Sequence, residues 1–257
     1  MVNEYDFTEE NKIFFETQGN LLKKNFERRH VETSLLYDDE SVYAYIKKFI
    51  EDRPYIKNIA FSDGVTLYQL NLFNWAKENL GGAEIKQPLR RGLGGHYAAY
   101  GDQPEGRMHL PYEEWKTYHD KWYEDCRRSL LSDLLIISAN AVTLNGEIVS
   151  VDGLGNRVTG MMFGPLHVIC IVGRNKIVPN VDYALERIHN FVAPLTYIRH
   201  NNKHNASFQD VPCVKTGKCF NCSHEYSSCR DVVIMRGQIK QHKDRLHLLV
   251  INKELGF

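Results

Sequence analysis

Two stretches of this chain are apolar at nearly every position, and they restrict the fold more than any other feature. Asp133 to Ala139, with Leu134-Leu135-Ile136-Ile137 at its centre, and Val168 to Val172 show no alternation between apolar and polar residues. A strand with one wet face alternates, whereas a strand covered on both faces does not. Such runs belong in a parallel sheet with helices packed on both sides. Both are far too short for a bilayer, which takes about 20 apolar residues.

The flanking segments agree. Residues 8–30 read as a helix, opened by Thr8-Glu9-Glu10-Asn11 and carrying Ile13, Phe14, Leu21, Leu22 and Phe26. Val31 to Tyr37 reads as a strand. Asp38-Asp39-Glu40-Ser41 opens a second helix with Val42, Ile46, Phe49 and Ile50. Ile59-Ala60-Phe61 is a short buried strand ending at Ser62-Asp63-Gly64. A helix from about Thr66 to Asn79 stops at Gly81-Gly82. Another spans about Tyr112 to Leu131, its Trp115, Tyr118, Trp122 and Tyr123 reading as core packing. Asn140 to Val149 forms a hairpin turning on Asn145-Gly146. Helices follow at Arg157 to Phe163 and Asp182 to Val192, and strands at Val232 to Met235 and Leu246 to Ile251. Strand and helix in alternation predict an α/β fold: one open, mostly parallel sheet with helices on both faces, in a single domain over 1–257. Residues 83–111, with Arg90-Arg91-Gly92-Leu93-Gly94-Gly95-His96, interrupt the alternation and read as an insertion.

Charge narrows the function. The 257 residues hold 32 Lys plus Arg and 32 Asp plus Glu, for a net charge of zero. A dedicated nucleic-acid binder needs a basic face, so nucleic acid is not expected as a partner. Met1 to Asp6 shows no basic patch leading into an apolar core, so a cytoplasmic protein without a signal peptide is expected.

Polar motifs collect at the ends of the buried strands. Asp152-Gly153-Leu154-Gly155-Asn156-Arg157 lies between a strand and a helix, where bare backbone N–H groups attract anions. Arg157 adds a two-pronged clamp for carboxylate or phosphate. Gly173-Arg174-Asn175-Lys176 follows the second apolar run, and Asn140 and Thr143 follow the first. Ligands of open α/β sheets bind beyond such strand ends. The expected set for a small anionic ligand is therefore Asn140, Thr143, Asp152, Gly153, Gly155, Asn156, Arg157, Gly173, Asn175 and Lys176. Asp152 is expected to hold Arg157 or Lys176 in place. The bland reading is a glycine turn, with Asn156 as a helix cap and Arg157 paired to an acid. The glycine spacing lacks the third glycine of a dinucleotide fingerprint, so NAD is not expected.

The six cysteines are unevenly placed. Cys126 and Cys170 stand alone in regular segments and read as packing. Cys213-x5-Cys219-x2-Cys222-x6-Cys229 is a local cluster, and His224 is a fifth candidate ligand. Four thiolates suit a zinc ion or a [4Fe–4S] cluster equally in ligand count. A redox pair of Cys219 with Cys222, or plain packing, remains open beside these.

Two long segments carry a resemblance. The first is Asn140-Ala141-Val142-Thr143 through Val151-Asp152-Gly153-Leu154-Gly155-Asn156-Arg157-Val158, with Phe163-Gly164-Pro165 and Gly173-Arg174-Asn175-Lys176-Ile177-Val178. The second is Pro212-Cys213, Thr216-Gly217-Lys218-Cys219-Phe220-Asn221-Cys222, Cys229 and the closing Val250 to Phe257. Together they resemble the lactate-utilisation (LUD) domain family, in its cysteine-bearing branch. The resemblance implies a fold similar to the group of ribose-5-phosphate isomerase, CoA-transferase and formyltetrahydrofolate cyclo-ligase. It also implies organic-acid metabolism, in which lactate is oxidised to pyruvate alongside iron–sulfur protein subunits. Three functions stand open: an anion-binding component of such a system, a non-catalytic assembly or electron-transfer subunit using its cysteines, and a stand-alone isomerase- or CoA-transferase-like enzyme. A CoA-transferase would need a glutamate nucleophile, and Glu147 lies in the hairpin near these motifs.

Overall fold

The computed structural model describes residues 4–86, 112–204, 211–225 and 227–257. The strands are β1 (Glu32–Leu36), β2 (Asn58–Phe61), β3 (Glu84–Lys86), β4 (Leu134–Ile137), β5 (Ala141–Thr143), β6 (Ile148–Asp152), β7 (His167–Gly173), β8 (Ile177–Val178), β9 (Asp231–Met235) and β10 (Leu246–Ile251). The helices are α1 (Thr8–Glu27), α2 (Asp39–Glu51), α3 (Val65–Gln69), α4 (Leu72–Asn79), α5 (Tyr112–Ser129), α6 (Asn156–Met162), α7 (Val181–Arg187), α8 (Ala193–His204) and α9 (Pro212–Thr216).

Six strands form one sheet in the order β1-β10-β7-β4-β2-β3, and every neighbouring pair is parallel. Its central strands are buried throughout, as their unbroken apolar runs require. Alternate residues serve opposite faces. Leu134, Ile136, Ile169 and Ile171 meet Val42, Ile46 and Phe49 of α2 and Leu72 and Ala76 of α4. Leu135, Ile137, Val168 and Cys170 meet Phe15, Leu22 and Phe26 of α1 and Met161 of α6. Among the described residues no helix is long and apolar enough to cross a membrane.

A second sheet, β8-β5-β6-β9, stands beyond the carboxyl ends of β4 and β7. The expected hairpin supplies β5 and β6, joined through Gly146 at a φ of 86°. Its Ala141, Val149 and Val151 pack on Ala184, Ile188 and Val192. This smaller sheet is an addition to the expected architecture.

Three elements differ from the sequence reading. The helix expected over 66–79 is two, α3 and α4, because Asn71 adopts a left-handed φ of 46° between them. Asparagine tolerates that conformation better than most residues. The helix expected to stop at Val192 runs on through a π turn at Ile188–Val192 into α8. The wider turn ends two residues before Pro194, which has no N–H to close an ordinary helical turn. Part of the stretch read as an insertion is strand β3, paired with β2. Residues 87–111 of that stretch, with His96 and His109, and the side chains of Trp115, Tyr118 and Trp122 lie outside the described residues. Tyr123 is half exposed and so is not the core residue it reads as.

The amino ends of β7 and β10 bury two histidines against Phe49. His167 Nδ1 and His247 Nε2 both face the carbonyl oxygen of Asp244, at 2.8 and 3.1 Å. A carbonyl only accepts, so both of those nitrogens carry hydrogen. The remaining nitrogens accept from Tyr55 (2.7 Å) and Tyr45 (3.0 Å). Burial lowers the pKa of His247, opposed by Glu32, the Asp244 carbonyl and the Asp244 carboxylate, and reinforced by Arg53. The unfolded chain takes up this proton near pH 6.5. As pH falls below about 6.5 the unfolded state therefore binds more protons, and stability drops by up to about 1.4 kcal/mol per pH unit. His247→Gln should flatten that limb of the stability curve, measured by urea unfolding between pH 5 and 7.5. Parallel curves for the two proteins would exclude His247 as the cause.

Candidate functional site

Where β2, β4 and β7 reach their carboxyl ends, an open cleft of about 230 Å³ lies between the two sheets. Asp63 to Thr66 border it after β2, and Ser138 to Asn140 after β4. The glycine loop after β6 supplies Asp152, Gly153, Asn156 and Arg157. Lys176 enters from the short turn after β7, Arg199 and His200 from α8, and Ser228 and Cys229 from the cysteine segment.

Lys176 is buried, and its amine is the most enclosed charge-bearing group of the cleft. Nζ donates to Thr66 Oγ1 at 2.9 Å, Ser138 Oγ at 3.1 Å and the Ala139 carbonyl at 3.0 Å. All three partners are neutral. Burial, with Arg187 and Arg157 nearby, lowers its pKa to about 7. Motif spacing does not find Thr66, Ser138 or Arg187. Their only signal in the sequence is position, as polar residues directly after apolar strands or opposite them.

The expected ligand set divides. Asn140, Asp152, Gly153, Asn156, Arg157 and Lys176 line the cleft together. Thr143 does not. It is buried in the β5–β6 hairpin, where its hydroxyl bonds to the Glu147 carboxylate and receives the Glu147 N–H. Glu147 is buried there too, 3.7 Å from Arg29 and away from the cleft, so it is a hairpin clasp and not a nucleophile. Gly173 and Asn175 sit under the closing segment: Asn175 accepts from the N–H of Leu255 and donates to the carbonyl of Gly256. They shape the wall without lining it. Gly155 holds the turn before α6 at a φ of 75° and is likewise not in the lining.

The glycine loop also differs from an open anion cradle. The Asp152 carboxylate already accepts the N–H groups of Gly153, Arg157 and Val158 at 2.8–3.2 Å. It thereby fills the start of α6 with the protein's own anion. Arg157 Nη2 donates to the Val151 carbonyl at 2.6 Å and to Asn140 Oδ1 at 3.4 Å. Its Nε lies 3.7 Å from Asp152. Asp152 therefore positions Arg157, as expected, and the anion-attracting charge of the loop resides in the guanidinium. Asn156 donates to Cys126 Sγ at 3.7 Å instead of capping the helix.

The cysteine segment forms part of the same wall. Strand β9 pairs antiparallel with β6, Asp231 opposite Asp152. Tyr197 of α8 receives the N–H and hydroxyl of Ser228, and packs with Val211 and Cys213. Gly153 permits the approach, since a Cβ there would stand 2.8 Å from Ser228 Cβ. Cys213, Cys219 and Cys222 lie near enough to Cys229 to help burial push its thiol up to about 11. Among the described residues, however, no three His, Cys, Asp or Glu side chains converge closely enough to hold a metal ion. As placed, the four thiols share a neighbourhood without forming a ligand set, and His224 adds none. Cys170 and Cys126 are buried, each with its thiol raised to about 12 by burial, as packing residues should be.

The sequence profile of the LUD domain matches residues 20–251. The chain belongs to the LUD domain family. The resemblance to the LUD domain family is therefore a membership, and the α/β sheet with helices on both faces is the architecture of a LUD-domain protein. A crystal structure of a DUF162 family protein from Deinococcus radiodurans is similar at a TM-score of 0.46 and 12% identity, covering 93% of this chain and 98% of that one. No curated protein matches the sequence.

The contact of Gly153 with Ser228 ties the cysteines of this LUD-domain protein to its cleft. Gly153→Ala should push Ser228 outward and speed iodoacetamide alkylation of Cys229 several-fold, read by peptide mass spectrometry, with Cys170 still protected. An unchanged Cys229 rate would show that the loop does not hold the segment in place.

Proposed function

We propose that this lactate-utilisation-type protein of organic-acid metabolism binds a small anionic ligand, a carboxylate or a phosphate, in the cleft between its two sheets. The observation that supports this reading most directly is the environment of Lys176. Its ammonium is buried among neutral acceptors with two guanidinium groups nearby. An unpaired buried charge is costly, and an entering anion removes that cost. Arg157 is held in the same wall by Asp152 and the Val151 carbonyl. Family membership supports the further step that the ligand is an organic acid and that the protein serves a lactate-oxidising system with iron–sulfur partner subunits.

The sign of the pH dependence follows. A carboxylate binds the protonated lysine, whose pKa is about 7. Affinity for lactate should therefore weaken as pH rises above 7, approaching tenfold per unit. Lys176→Met should lower affinity about 10- to 100-fold, the range for a charge-assisted hydrogen bond, and abolish the pH dependence. Calorimetric titration with lactate, pyruvate and inorganic phosphate between pH 6 and 9 tests both. Absence of binding by all three would overturn the reading.

A second reading concerns the cysteine segment, because four thiols electrostatically coupled in one neighbourhood are unusual for simple packing. A [4Fe–4S] cluster or a zinc ion is the cofactor we propose for Cys213, Cys219, Cys222 and Cys229, with the segment drawing inward to bind it. Metal analysis and a visible spectrum on anaerobically purified protein should find about four irons with broad absorption, or one zinc. Metal-free protein that takes up neither on reconstitution would overturn this, and leave the thiols to redox chemistry or packing.

A further inference from the structure

The contacts of Lys176 suit more than electrostatics. A lysine used only as a structural cation is expected beside a carboxylate, yet its three partners are two hydroxyls and one carbonyl. The charged groups acting on it are the guanidiniums of Arg187 and Arg157, with the Cys170 thiol behind it. In that setting the neutral amine is well populated near pH 7, and a neutral amine is a nucleophile. Lys176 is also one of the residues that line the cleft, so the buried side chain borders the space a ligand would enter. Gly256 passes over it without a side chain, and a Cβ at that position would stand 3.1 Å from Nζ.

We propose that Lys176 reacts covalently, its Nζ forming an imine with the carbonyl carbon of a 2-oxo acid bound in the cleft. This rests on the anion-binding reading above and names its substrate class. A carbonyl carbon is the electrophile an amine attacks reversibly without a cofactor. A carboxylate beside it satisfies the cationic wall, where Arg157 Nη1 has no hydrogen-bond partner among the described residues. Nζ adds to the carbonyl carbon and forms the N–C bond. The two amine hydrogens pass to the carbonyl oxygen, which leaves as water, and a C=N bond remains. No oxidant or reductant is consumed. The Ser138 hydroxyl donates to Thr66 Oγ1 at 3.2 Å, and both hydroxyls touch Nζ. They form a short relay for those protons. The Ala139 carbonyl aims the amine from the end of β4. Lysine is the residue that touches the reacting atom; Thr66 and Ser138 are positioning residues.

Borohydride trapping tests this on the full chain. The protein is incubated with pyruvate, reduced with sodium cyanoborohydride, digested and mapped by mass spectrometry. The expected result is one reduced pyruvate adduct per chain, on Lys176, with a yield that rises as pH passes through 7. Lactate has no carbonyl and should protect Lys176 without labelling it. Lys176→Arg should give no adduct. Ser138→Ala should slow adduct formation by a larger factor than it weakens lactate binding, and Ser138→Thr should restore most of the rate. Pyruvate binding by calorimetry without an adduct on Lys176, or labelling confined to exposed lysines, would overturn the imine and leave the anion cleft standing. Failure of both pyruvate and lactate to bind would remove the cleft reading and the imine together. The wild-type adduct is located by peptide, so the test holds whether or not any variant folds.

Discussion

The parallel pairing of β4 with β7, from Leu134 opposite His167 to Ile137 opposite Cys170, is the constraint on which the molecule turns. Strands buried on both faces must share every backbone hydrogen bond with neighbours, because no water reaches them. Their residues then alternate between two cores, one under α2 and α4 and one under α1. The pairing also aligns the strand ends. At the amino ends the neighbouring pairing of β7 with β10 brings His167 close to His247, and the two share one carbonyl. At the carboxyl ends it puts Ser138 and Ala139 beside the turn that carries Lys176.

The cleft depends on a second element that the first makes possible. The chain leaves β4 directly into the β5–β6 hairpin, and the hairpin's sheet stands over the end of the main one. Strand β9 joins that sheet from the far side of the cysteine segment, so its pairing with β6 brings Ser228 and Cys229 to the cleft. Anion-binding residues and cysteines thus belong to one wall. A ligand in the cleft and a change at the thiols would be felt by the same few residues, Gly153, Ser228 and Tyr197 among them.

Charge inside the cleft is arranged asymmetrically. Asp152 is committed to the start of α6 and to orienting Arg157. Arg187 donates to the Asn140 carbonyl, which steadies the strand end. Lys176 receives only neutral partners. The wall also carries the Asp63 carboxylate after β2, but the hydrogen bonds of Lys176 go to neutral groups, which is why one lysine carries most of the chemistry inferred for the site.

Local pattern was enough to determine the sheet class, the buried strands and most helices, because unbroken apolar runs and helical spacing record burial directly. It also located the polar turns, since Asn140, Arg157 and Lys176 each follow a strand. Spacing could not say which polar residues share a cavity. Thr143 and Asn175 look as eligible as Asn140, yet one turns into a hairpin and the other under the closing segment. Thr66 and Ser138 carry no motif and become partners of Lys176 only when β4 and β7 pair and α3 is set beside them. The burial that lowers the lysine's pKa, and the docking of the cysteine segment against Gly153, arise from contacts between residues far apart in the chain. Sequence determined what each segment buries; tertiary structure alone decided which buried and half-buried groups meet.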